Sequence, residues 1–152
     1  MDALDLAGYV VKYGVDHYTP VSNLQLQKIL YFLQIRSIQI NGAEFPIMET
    51  PHFEAWPFGP VIRKVYEAFH LSGGMPIIIF PKKIRTDAIV ENYVDECLST
   101  LCAKKSWNLV DFAHRKDGAW AKNYIEGLKT PIKDEDICIE ANSLPNNFIQ
   151  SI

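Results

Sequence analysis

Val21-Ser22-Asn23-Leu24-Gln25-Leu26-Gln27-Lys28-Ile29-Leu30-Tyr31-Phe32-Leu33-Gln34-Ile35-Arg36-Ser37-Ile38-Gln39-Ile40-Asn41-Gly42 is the stretch that decides the fold class. Ser22 and Gln25 have capping-box spacing: the hydroxyl takes an orphan backbone N–H, and the glutamine reaches back to the cap. Leu26, Ile29, Leu30, Leu33 and Ser37 then form an inward stripe, widened by Phe32 and Ile35. Asn41-Gly42 suits a left-handed C-terminal residue, so the spacing predicts one long helix ending there.

Working outward, Leu6, Ala7, Val10, Val11 and Tyr13 predict a short amphipathic helix over 3–15, and Thr19-Pro20 a turn. Residues 43–59 are turn-rich, with His52 to Trp56 as a short extended piece. Pro60 is well placed to open a helix, because its missing N–H would be unpaired there anyway; that helix runs to Phe69 and ends at Gly73-Gly74. Ile77 to Phe80 is β-branched and bounded by prolines, an extended segment or short strand. Thr86 is a candidate cap for a helix carrying Val90, Val94, Cys97, Leu98 and Leu101. Ser106 to His114 predicts another helix, Trp120 to Leu128 a turn or two, and the acids Asp134, Glu135 and Asp136 the first turn of a last one. Residues 142–152 have weak periodicity and are expected to be a frayed tail. The expectation is mainly α: a compact single-domain bundle of about five to seven helices, with short extended or β segments near 52–57 and 76–80.

Composition narrows the function classes. The 152 residues suit one domain, and 48% hydrophobic content is enough for a real core. A net charge of −3 argues against a nucleic-acid binder, with only Lys28 and Arg36 as positive charges on the long helix. The run Lys82-Lys83-Ile84-Arg85 reads as a solvated loop. Three cysteines without a CxxC pair, and four scattered histidines, give no metal-ligand spacing and no disulfide framework. No apolar run approaches membrane-spanning length, and the acidic Met1-Asp2-Ala3-Leu4-Asp5 start is unlike a signal peptide, so a cytoplasmic location is expected. Phosphate-loop, zinc-protease and nucleophile-elbow signatures are missing, so no cofactor and no catalytic residue is assigned. Asp111 and His114 sit three apart on a helix, an acid–histidine pair without an evident nucleophile.

The aromatics are the distinctive feature. Trp56, Phe58, Tyr66 and Trp120 flank Pro/Gly turns, where large side chains are often half exposed and anchor protein contacts.

Two segments together resemble the Panacea domain family, whose members include SocA-like antitoxins and GepA-like phage-associated proteins. The first is Val21 to Phe32; the second is Phe53-Glu54-Ala55-Trp56-Pro57-Phe58-Gly59-Pro60-Val61-Ile62-Arg63-Lys64-Val65-Tyr66. A third match, Leu109 to Arg115 followed by Trp120, departs at Ala113, where the family usually has threonine, and at Gly118-Ala119, where proline is common. The resemblance spans about residues 3–140, and the domain is placed at 1–141. It implies a mostly helical bacterial antitoxin, from a prophage or mobile-element setting, that binds and neutralises a cognate toxin protein. One branch of the family implies an alternative: an adaptor delivering the toxin to an AAA+ protease. The family supplies no catalytic residues. The residues expected to form the partner-binding surface are Tyr31, Trp56, Phe58, Arg63, His114 and Trp120.

Overall fold

The computed structural model describes all 152 residues. In chain order the elements are α1 (Ala3–Asp16), α2 (Asn23–Asn41), β1 (Phe53–Trp56), β2 (Gly59–Ile62), α3 (Arg63–Ala68), α4 (Asn92–Leu101), α5 (Ser106–Ala113), α6 (Ala119–Asn123), β3 (Thr130–Pro131) and α7 (Asp134–Ser143). Short 3-10 turns follow α3 at His70–Ser72 and α7 at Phe148–Ser151. The mainly helical expectation holds, with seven α-helices and one small sheet.

The long helix is where it was expected, and its capping box forms: Ser22 Oγ accepts from the Gln25 backbone N–H at 3.2 Å, and Gln25 Oε1 accepts from the Ser22 N–H at 2.8 Å. It ends at Gly42, with φ of 85°, in the left-handed region that glycine enters without a Cβ penalty. The difference is burial. Every residue from Leu26 to Ile35 is buried, so α2 is a central rod rather than an amphipathic helix. α1, α3, α4, α5, α7 and β2 all pack around it.

Its polar residues survive burial because each finds a backbone partner. Gln34 Nε2 donates to Met48 O at 3.0 Å, and Gln34 Oε1 accepts from Met48 N–H at 3.1 Å. Ser37 Oγ donates to Gln34 O and accepts from Ile47 N–H. These bonds pin the irregular 43–52 segment to the rod.

The helix expected from Pro60 begins instead at Arg63. Gly59–Ile62 is taken by a hairpin with β1, in the register Phe53↔Ile62, Glu54↔Val61, Ala55↔Pro60, Trp56↔Gly59, closed by the two residues Pro57-Phe58. The strand order is β2-β1-β3, so Pro60 lies on an edge strand, where a missing donor is tolerated.

Ile77–Phe80 is irregular and joins no sheet; the Ile77 N–H donates to Val21 O at 2.8 Å, with Ile77 buried. Thr86 does not cap a helix: α4 starts at Asn92, after an irregular stretch. The frayed tail is also corrected. Phe148 and Ile149 are buried, Phe148 stacks on Phe112 with ring centroids 5.9 Å apart, and Lys104 Nζ donates to Ile152 O at 2.6 Å. A pair of apolar residues at the chain's end suffices to dock it, and pair-wise apolar content is invisible to a periodicity test. No helix is long and apolar enough to cross a membrane.

Candidate functional site

The β1–β2 hairpin carries Trp56 and Phe58 at its tip, and everything around them follows from how that tip is held. Beneath it lies Lys28, fully buried, with Nζ donating to Pro60 O at 3.1 Å. Beside it Gln27 Oε1 accepts from Ile62 N–H at 2.9 Å. The rod thus grips the second strand through two consecutive side chains.

Gly59 makes the close approach possible. Its φ is 112°, and a Cβ built there would lie 2.6 Å from Lys28 Cε. Gly59→Ala is therefore expected to cost about 2 kcal/mol or more in a urea denaturation, from backbone strain and overlap together. An unchanged midpoint would contradict this packing.

Trp56 is the hub of the surface. Lys129 Nζ sits 4.2 Å from its ring centroid, the Arg63 guanidinium 5.5 Å, and Tyr66 meets it edge-on at 4.9 Å. Its indole N–H donates to Glu54 at 3.2 Å, and Glu54 in turn accepts a two-pronged fork from Arg63 at 2.8 Å each. Burial pushes the Glu54 carboxyl up, but the Arg63 fork and the indole donor outweigh it and hold it below its ordinary value. The Trp56 carbonyl accepts from the Trp120 indole at 2.7 Å. Trp120 stacks between His114 (3.8 Å) and Tyr124 (4.5 Å). Phe58 meets Trp107 edge-on at 5.4 Å, and both rings are more than half exposed, at 54% and 57%.

Five of the six residues expected at the surface, Trp56, Phe58, Arg63, His114 and Trp120, lie in this linked set. Tyr31 does not: it is fully buried, and its hydroxyl donates to Glu140. Burial and the Glu140 charge push that phenol well above its ordinary value. Lying outside the predicted α2 stripe, it gave no sign of this, because the partner is 109 residues away. Trp107, Glu140 and the burial of Lys28 were missed. Only the last left a signal in the chain: no Asp or Glu occurs between Asp16 and Glu44, so Lys28 has no local counter-ion.

The Asp111 and His114 side chains share no hydrogen bond; the residues meet only through the helical His114 N–H to Asp111 O, and His114 Nε2 is buried without a partner. Burial, then the charge of Lys28, holds the imidazole below its ordinary value. The thiols of Cys97 and Cys102 are pushed up by burial to about 11 and about 12, far from thiolate chemistry at neutral pH. In the folded chain a thiol reagent such as Ellman's is expected to label Cys138, which is half-buried, and to spare the other two. Labelling of all three at equal rates would contradict that burial. No three His, Cys, Asp or Glu side chains gather as a metal site would need.

The family model for antitoxin SocA-like proteins with the Panacea domain matches residues 26–121, a span holding Lys28, the whole hairpin, His114 and Trp120. The chain is also 30% identical over 135 residues to Antitoxin SocA of Caulobacter vibrioides (strain NA1000 / CB15N), covering 79% of this chain and 69% of that protein. No solved structure matches. On the family match and this relative together, the chain belongs to the SocA-like antitoxins of the Panacea domain family.

Proposed function

We propose that this antitoxin neutralises a cognate toxin protein by direct contact through the aromatic face built on the Trp56–Phe58 hairpin. The observation that carries the reading is the exposed Phe58–Trp107 pair standing beside the Trp56–Arg63 cluster. Aromatic and arginine side chains held rigid at a surface are the usual anchors of protein interfaces, and they cost little entropy to order. The role needs no catalytic step, in keeping with the unpaired His114 and the buried thiols. Co-expression tests it: cells arrested by the toxin should resume growth when this chain is supplied, with the two proteins co-purifying. Rescue without any complex would contradict direct contact.

A second reading, an adaptor that hands the toxin to an AAA+ protease, draws support from a second surface. Leu71, Met75, Ile78 and Ile79 are exposed around an apolar groove of about 660 Å³. An adaptor needs two faces, and this one adjoins the hairpin face at the Ser72–Met75 turn. The toxin's lifetime separates the readings: it shortens in the presence of an adaptor and does not under simple blocking.

A further inference from the structure

Under the hairpin tip lies a cavity of about 310 Å³, walled by Leu24, Trp56, Pro57, Phe58, Val61 and Tyr66. Lys28 is the one charged side chain on its lining, and no carboxylate lines it. The two amides there are already engaged: Asn23 donates to Tyr66 O at 3.0 Å and accepts from Gln27 at 2.9 Å, and Gln27 holds the Ile62 N–H. Lys28 is different. Its ammonium has three N–H groups and a single acceptor, Pro60 O, and it belongs to none of the chain's five ion pairs. The neighbouring titratable group is His114, whose Nε2 also lacks a partner.

A buried cation without a counter-ion destabilises a fold, and an apolar side chain of the same length would not. A lysine kept at such a cost points to a use in binding. We propose that Lys28 is the receptor for a carboxylate that enters this cavity, its oxygen accepting from Nζ while the aromatic walls take its aliphatic stem. One cation matches the single charge of a carboxylate better than the double charge of a phosphate. Lys28 is fully covered in the free chain, so entry requires the groups packed over it to part. The carboxylate is an Asp or Glu side chain of the bound partner or a free small acid; the first of these rests on the partner-binding reading of this face.

The test follows the Trp56 indole N–H signal by NMR while N-acetyl-aspartate methylamide is added, with the asparagine counterpart as control. The expected result is a saturable shift with the acid, at least about tenfold weaker with the amide, and lost in Lys28→Met. Lys28→Gln, which keeps a donor for Pro60, is the second variant, expected to lose the same response. No saturable shift in the wild-type chain, or an equal one in both variants, overturns the proposal. Saturation below about 1 mM with acetate or succinate marks a free small acid as the occupant. Weak saturation, with toxin rescue lost in Lys28→Met, marks a partner's carboxylate; weak saturation with full rescue overturns the proposal. If the wild-type chain rescues no toxin, the antitoxin surface fails while the titration still decides the cavity.

Discussion

Lys28→Met is expected to raise the free energy of unfolding below about pH 7 by about 1–4 kcal/mol, the range seen when a buried ion pair gives way to apolar side chains. Burial pushes the Lys28 amine down to about 7, from 10.5 for a free lysine. Between those values the unfolded chain binds more protons than the folded one, so wild-type stability rises as pH rises through that window. Below about pH 7 both states carry the charge, and the folded state bears the whole cost of burying it. His114, also held below its ordinary value, adds a rise of the same sign at lower pH. Urea unfolding at about pH 6 and about pH 9 should therefore show a large gain for Lys28→Met at the lower pH and a smaller one at the higher. A loss of stability would mean that the Pro60 contact outweighs the cost of burial, and a gain independent of pH would mean that burial does not shift the Lys28 amine.

Glu140→Ala is expected to have the opposite effect, a loss of about 3 kcal/mol or more. The Glu140 side chain is almost wholly buried and accepts from three directions: Arg115 Nη2 at 2.6 Å, the Ala119 backbone N–H at 2.9 Å, and the Tyr31 hydroxyl. Truncation leaves a phenol and the first N–H of α6 buried with no acceptor. It also leaves the Arg115 charge unpaired, though partly solvated. Because these donors come from α2, α6 and the turn between α5 and α6, Glu140 ties α7 to the face that carries Trp120. Thermal unfolding should fall accordingly, and the Trp120 indole signal should broaden. A melting temperature within a degree or two of wild type would contradict this network.

Local rules made much of the fold legible. The Ser22–Gln25 box, the Asn41-Gly42 stop and the acids of α7 are short-range devices whose chemistry lies within four residues, so they can be read from the chain. The hairpin was obscured because Pro60 reads as a helix opener, and only pairing with Phe53–Trp56 makes it an edge-strand residue. The C-terminal segment misled for a similar reason: Phe148 has no periodic neighbours, but it has Phe112 and Phe32 to pack against. At the site, Trp56, Phe58, Arg63, His114 and Trp120 were legible as aromatics and cations flanking turns. Tyr31 was misread, since the bond that buries it crosses most of the chain. Trp107 was passed over because helix α5 alone gives no hint that it faces Phe58.

The most direct test of the binding account is the affinity of the Phe58→Ala, Trp107→Ala double variant for the toxin that the wild-type chain rescues. Both rings are largely exposed, so unfolding free energy should stay within about 1 kcal/mol of wild type. Truncating true anchors should weaken binding by about 2 kcal/mol or more, roughly thirtyfold, and abolish rescue at matched expression. A folded double variant that binds and rescues as well as the wild-type chain would contradict the assignment of this face to the toxin.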